Sequence, residues 1–327
     1  MPPEPSSGAL GAPLRDTDGA PSPRVVSLSP AATDIVAALG LGAHLVGVSH
    51  ECDHGVAAGL PVLTSSSLPS AAPGQRAPLP PAEVDRRVVE SVAADEPLYQ
   101  TDAQALAALR PDIVLAQEVC DVCAVPGRQV AAELPEATRL VVLGATSLDG
   151  LASDLRAVGR ALAAEDRAEQ QIQAIAAGHA RVEEIVANRP RPRALALEWG
   201  DPPFLGGHWI PELVRVAGGH HVLTAPGQPS RRSTWDEIAA TDPDAIVFMP
   251  CGYGIGAAVA ESRELLERPE VARLRAVHAG RWWATDATRL FSRCTPAVVT
   301  AVPVLAAILH PEALPVPSPR RAAPVLP

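Results

Sequence analysis

Four short apolar runs, rich in β-branched residues, punctuate the first half of the chain: Arg24–Ser29, His44–Ser49, Asp112–Ala116 and Arg139–Leu143. Continuous runs of this length, set between helical stretches, predict parallel strands buried on both faces. The helix after the first strand is predicted to start at Pro30, whose fixed φ suits a first turn, and to stop at Gly40 and Gly42. The second half repeats the pattern. Arg193–Glu198 reads as a strand, Pro211–Gly219 as a short helix stopped by glycines, and His221–Leu223 as the start of another strand, with the His220-His221 pair structural. Gln104–Ala116 and Glu237–Phe248 are both a helix, a Pro-Asp turn and a buried strand, which predicts two similar α/β lobes.

Between them, Leu148, Leu151, Leu155, Val158 and Leu162, then Ile172, Ile175, Val182, Ile185 and Val186, keep a 3/4 spacing that is helical. A break near Ala164–Asp166 divides the stretch in two. The second helix, of about 22 residues, would be ~33 Å long, a stiff connector that leaves a cleft between the lobes. The expected layout is therefore a disordered lead (1–23), an N-terminal lobe (24–146), connecting helices (147–189), a C-terminal lobe (190–311) and a tail (312–327). The Pro/Ser/Ala-rich stretch 64–82 inside the first lobe is either a flap over the cleft or an unstructured insert.

Composition narrows the functions open to such a chain. Against 37 acidic residues stand 27 basic ones, a net charge of −10, which argues against a nucleic-acid groove. Every basic residue is arginine, so P-loop and Schiff-base lysine chemistry is absent. Five cysteines, an odd number thinly spread, do not make a disulfide framework. No apolar run approaches the ~20 residues of a spanning helix, and the first residues lack an apolar export core or a lipid-anchor cysteine. The sequence as written predicts a cytoplasmic protein without membrane insertion; an export signal enters only with a different start codon. Of ten aromatic residues, nine lie after position 198.

In parallel α/β lobes ligands meet the loops at the carboxyl ends of the strands. Those loops carry Ser29 and Pro30, His50-Glu51-Cys52-Asp53-His54, Gln117 to Cys123, Trp199 to Trp209, Cys251 and Tyr253, and Phe291 and Arg293. Trp199, Pro203, Phe204, His208 and Trp209, with Gly206-Gly207, form a rigid apolar wall suited to a large flat ligand; interlobe packing is the alternative role. His208 either coordinates a metal carried by the ligand or bonds the backbone. Arg231-Arg232, before Trp235, either meets ligand carboxylates or amides or is a solvated turn. Cys120 and Cys123 with the His50–His54 loop hold the residue types for zinc or thiol chemistry, but only one tight ligand pair is present. No G-x-S-x-G, P-loop or G-x-G-x-x-G motif occurs, and no catalytic residue, metal site or cofactor is assigned.

The strings RVVSLSPAATDIVAALGLG, ALRPDIVLAQEVCDVCAV, LEWGDPPFLGGHWIPELVRVAGG, STWDEIAATDPDAIVFMPCG and FSRCTP resemble the cobalamin-type substrate-binding proteins of ABC importers, relatives of the vitamin B12 and iron-siderophore binders. The resemblance runs from about Arg24 to Pro311. It implies an α/β fold of two Rossmann-like lobes joined by one long helix, a monomer without enzymatic activity, and a corrinoid (cobalamin) in the interlobe cleft. The ring would lie between Trp199, Phe204 and Trp209 on one side and Ser29, Pro30, Glu51, Cys52, Gln117, Cys120 and Cys123 on the other, with Pro203, His208, Trp235, Cys251, Tyr253, Phe291 and Arg293 completing the site. Haem or a ferric siderophore is the alternative ligand in the same fold. The resemblance also implies docking to an ABC permease and ATPase through one glutamate per lobe. Glu237 matches in the second lobe, whereas Gln104 occupies the expected position in the first, which leaves a cytoplasmic corrinoid-handling role open.

Overall fold

The computed structural model describes residues 22–68, 79–94, 96–119 and 127–326. In the N-terminal lobe, β1 (Val25–Ser27), β2 (Leu45–Val48), β5 (Ile113–Gln117) and β6 (Arg139–Leu143) form a parallel sheet of order β2-β1-β5-β6. β3 (Thr64–Ser66) and β4 (Tyr99–Thr101) pair antiparallel as a separate ribbon. The helices are α1 (Pro30–Ala38), α2 (Pro81–Ala93), α3 (Ala103–Leu109) and α4 (Gly127–Glu133). α1 begins as expected, because Ser29 caps it by accepting the amide of Ala32 and Pro30 supplies the first turn.

α5 (Leu148–Ala161) and α6 (Glu165–Val186) are the two connecting helices, broken at Leu162–Ala164, and α6 has the expected 22 residues. The C-terminal lobe holds β7 (Arg193–Gly200), β8 (Pro203–Leu205), α7 (Ile210–Val216), β9 (His220–His221), β10 (Arg231–Arg232), α8 (Trp235–Thr241), β11 (Ala245–Phe248), α9 (Ile255–Leu266), α10 (Pro269–Ala272), α11 (Arg275–His278), β12 (Trp282–Thr285), α12 (Ala287–Leu290), α13 (Val298–Leu309) and β13 (Ala322–Pro324). Its sheet runs β10-β8-β7-β11-β12-β13, parallel at the centre (β7, β11, β12) and antiparallel at both edges, with β9 alongside β7.

Two expectations are corrected. The strand expected at His221–Leu223 is only His220–His221, since Leu223 has a φ of +74° and turns the chain. The expected tail is part of the sheet. β13 pairs with Trp283–Thr285, the amide of Val325 donates to the Trp282 carbonyl (2.9 Å), and Ala322 and Val325 are buried, so this end covers an otherwise open strand edge.

The repeat between the lobes extends to single hydrogen bonds. α3 and α8 both end in a left-handed residue, Arg110 (φ +42°) and Asp242 (φ +44°), immediately before Pro-Asp. The carboxylates of Asp112 and Asp244 then accept the amides of Arg24 and Arg193, each at 2.7 Å. The guanidinium Nε of Arg24 and of Arg193 returns to a carbonyl of the matching helix end, Leu109 or Thr241. A single apolar core joins the lobes. It runs from Val25, Ile35 and Leu115 through Leu151, Leu155 and Val158 of α5 and Ile175 and Val182 of α6 to Leu213, Val302 and Leu305.

Candidate functional site

The carboxyl ends of β1, β2 and β5 in one lobe face those of β7, β11 and β12 in the other, and the loops beyond them meet along a seam. Its central contact is Arg293. From the C-terminal lobe its guanidinium reaches Asp53 (2.6 Å) and Asp34 (3.3 Å) of the N-terminal lobe, with the Glu51 carbonyl at 3.5 Å. Burial opposes the charge of Arg293, but the two carboxylates hold its pKa above the usual guanidinium value. Burial pushes the Asp34 carboxyl up, against the pull of Arg293. A cavity of about 280 Å³ opens beside this cluster, lined by Asp34, Asp53, His54, Thr288, Arg289 and Arg293 among others. Deeper in the seam, Gln117, Val119, Trp209 and Cys294 surround a gap of only about 10 Å³. The lobes are pressed together. A cavity of 280 Å³ lies at the low end of ligand pockets, which run to ~1,000 Å³, so a large ring enters only when the lobes part.

The C-terminal side of the seam is aromatic. Trp199, at the end of β7, meets Tyr253 edge-on with centroids 5.7 Å apart, and Phe204 lies across from Trp199 on β8. His208, half-buried and at φ +51°, stacks on Trp209 with ring centroids 5.9 Å apart. This loop needs Gly207: a methyl group there would lie 2.3 Å from the Ser230 nitrogen. Below Trp199, the Glu198 carboxyl is bonded by Ser230, whose Oγ also accepts the Gly207 amide, and the Cys251 amide donates to the Glu198 carbonyl (3.2 Å). Desolvation pushes the Glu198 carboxyl up to about 8; the Ser230 bond opposes the shift and nearby Cys251 adds to it.

The structure does not bring all the expected site residues to open surface. Ser29 is buried and occupied as the α1 cap, and Pro30 is half-buried as its first residue. Cys52 is half-buried against the Thr33 hydroxyl (3.1 Å), and burial raises its thiol pKa. Pro203 is buried within β8. The Trp235 ring lies in the C-lobe core beside Trp282 (6.4 Å), because α8 turns it inward onto β11 and β12. Phe291 is buried in the core shared by the lobes, as Trp209 is. Arg293 and Cys251 are at the site edge, the first occupied by carboxylates and the second exposed. Cys120 and Cys123 lie outside the described residues, and among the described residues no group of three His, Cys, Asp or Glu could hold a metal. His50 donates to or accepts from Thr64 at 2.6 Å.

Asp34, Asp53 and Glu198 were absent from the expected set. Glu198 was findable as the last residue of the strand predicted over Arg193–Glu198, and Asp53 lies in the His50–His54 loop. Asp34 sits one turn inside α1, where its helix phase, not its position after a strand, brings it to the seam. Glu237 accepts from both terminal nitrogens of Arg231 (2.7 and 3.1 Å) and from Ser233 (2.5 Å). With the Pro-Asp turns in register, its N-lobe equivalent is Ala105, and the first turn of α3 carries no acid.

A family model for periplasmic binding proteins matches residues 25–288. The chain belongs to the periplasmic binding protein family. Members are the substrate-binding components of ABC transporters, which take up small molecules and are not enzymes. Solved structures agree in fold. The periplasmic haem-binding protein of Pseudomonas aeruginosa is 24% identical, with a TM-score of 0.65, over 91% of this chain and 96% of its own. The periplasmic vitamin B12 binding protein of Vibrio cholerae is 21% identical, with a TM-score of 0.64, over 89% and 97%. A periplasmic haem-binding protein of Roseiflexus is 20% identical, with a TM-score of 0.66, over 89% and 99%. Among the described residues no helix is long and apolar enough to cross a membrane.

Proposed function

We propose that this periplasmic binding protein family member binds a corrinoid between its lobes, without turnover, either for an ABC permease or in corrinoid handling inside the cell. One observation carries the choice of ligand. Among the described residues, the arginines at the seam already have carboxylate partners: Arg293 has Asp34 and Asp53, Arg289 has Asp286 (3.9 Å), and Arg232 has Asp85 (2.6 Å). Once bound, a ligand rimmed with carboxylates, such as haem, would compete with these acids for the guanidiniums, whereas a corrinoid rimmed with neutral amides leaves the pairs free to re-form when the lobes close. Its amides also suit two buried polar atoms at the seam that find no partner among the described residues, the indole nitrogen of Trp209 and the hydroxyl of Thr288. The apolar ring face would lie on Trp199, Phe204 and Tyr253.

Titration with cyanocobalamin and, separately, haemin tests this. Cyanocobalamin is expected to quench tryptophan fluorescence saturably, with haemin weaker. No saturable cobalamin binding below ~10 μM, an affinity of about −7 kcal/mol, or tighter haemin binding with a Soret shift, overturns the corrinoid reading. For the partner, docking is assigned to Glu237, which Arg231 binds, and the first turn of α3 in the N-terminal lobe carries no acid. Fractionation of the native cells separates the roles: recovery outside the cytoplasm supports import, and recovery within it supports handling.

A further inference from the structure

α2 belongs to the N-terminal lobe by sequence, yet only its first residue, Pro81, is buried. Two of its contacts reach the other lobe. The Trp199 indole donates to the Pro81 carbonyl (3.3 Å), and Arg232 pairs with Asp85 (2.6 Å). Past its C-terminus the chain returns to the N-terminal lobe through buried Leu98, whose carbonyl accepts the Ser67 amide, and then through β4. The helix therefore starts on one lobe and leads back to the other. At 1.5 Å per residue it spans ~20 Å.

Its two faces differ. At 100° per residue, Pro81, Asp85, Val88 and Val92 fall within about 60° of arc. Glu83, Arg86, Arg87 and Glu90 lie opposite, joined as ion pairs with Glu83 and Glu90 accepting from the arginines. Such pairs support a helix that has little core beneath it. The stripe that meets Trp199 and Arg232 thus continues as valines, with Val89 beside it, and Val92 is 55% exposed and Val89 43%. At its Pro81 end the stripe meets the aromatic end of the candidate site through Trp199.

The geometry points to α2 as a strap over the cleft mouth, which releases Trp199 and Arg232 to admit the ligand and reseats with Val88 and Val92 against the ligand's apolar edge. The inference rests on the corrinoid reading for the identity of what is covered, but not for the existence of the strap. Arg232 is a positioning residue: it holds the strap shut and does not touch the ligand.

Hydrogen exchange and stopped-flow binding on the full chain test it, with R275Q, in the remote Asp242–Asp244 pair, as the control. In the unliganded protein R232Q is expected to speed exchange of the α2 amides about fivefold, as loss of a surface pair allows, with R275Q at the wild-type rate. Cyanocobalamin is expected to protect those amides in the wild type. R232Q should speed association and dissociation by similar factors, and V88S/V92S should speed dissociation alone by about tenfold through lost apolar contact. If cyanocobalamin shows no binding, the corrinoid reading falls, and the strap is still decided by R232Q exchange, faster α2 amides supporting it. Unchanged α2 exchange in R232Q, or cobalamin binding that neither protects α2 nor responds to V88S/V92S, overturns the strap.

Discussion

Arg293 shows how a single side chain can set the state of the seam. It is 14% exposed, between carboxylates that are 17% and 21% exposed, so removing it leaves two partly buried acids facing each other. R293Q is expected to cost about 1–3 kcal/mol, below the full value of a deeply buried pair because the cluster retains some solvent. Adding D34N and D53N should restore most of that, which urea unfolding of the three proteins would show; no recovery in the triple variant would mean that Arg293 acts through packing. Glu198 makes a different demand. Folding raises this acid's pKa from 4.5 to about 8, so the unfolded chain ionises first as pH climbs. Native stability is therefore lost between those values and levels off above about 8. The buried, neutral His221, whose Nε2 accepts the Ala196 amide and whose pKa falls to about 4, works oppositely, with stability lost as pH falls from 6.5 towards 4. The difference between E198Q and wild type isolates the first effect. E198Q is expected to gain on wild type from pH 5 to 8, and a constant gap across that range would refute a protonated Glu198. Both groups were legible only in part, because sequence shows which residue ends a strand but not how many loops close over it.

Among the elements, the paired Pro-Asp turns make the most direct claim. Asp112 and Asp244 each hold the residue that enters the neighbouring strand, with the same 2.7 Å bond to an arginine amide. D112A is expected to cost about 1 kcal/mol for the lost turn bond, and D244A that plus up to about 1 kcal/mol for its surface pair with Arg275, measured by urea unfolding. A cost at one turn and none at the other would make the repeat superficial. This repeat was readable because both copies keep Pro-Asp before an apolar run. α2, β3 and β4 were not, for physical reasons that differ. β3 (Thr-Ser-Ser) and β4 (Tyr-Gln-Thr) are three residues long and polar, without a face that alternates. The four valines of α2 follow a proline-rich stretch and none of them is buried, so no core-facing pattern marks the helix. β13 was hidden likewise: the prolines around it suggest a loose tail, while buried Ala322 and, just past the strand, buried Val325 cover the edge.

At the scale of the molecule, the connector decides whether two lobes behave as one body. Its 3/4 apolar spacing was plain in the sequence, and what the spacing could not show is that the buried face of α5 and α6 belongs to a core containing residues of both lobes. Leu155 is fully buried in that core. Truncating it removes contacts on which both lobes rely, so L155A is expected to lower stability by about 2–5 kcal/mol. The tryptophans provide a lobe-specific probe, since all five (Trp199, Trp209, Trp235, Trp282 and Trp283) lie in the C-terminal lobe. Fluorescence therefore follows one lobe, while circular dichroism follows the helices of both. With a shared core, the two signals should trace one transition in the wild type and move together in L155A. A fluorescence curve that stays in place while the dichroism curve shifts would mean that the lobes unfold separately. In that case the ion cluster at Arg293 and the strap contacts at Trp199 and Arg232, not the core, would hold the lobes together, and R293Q with R232Q should then separate the transitions further.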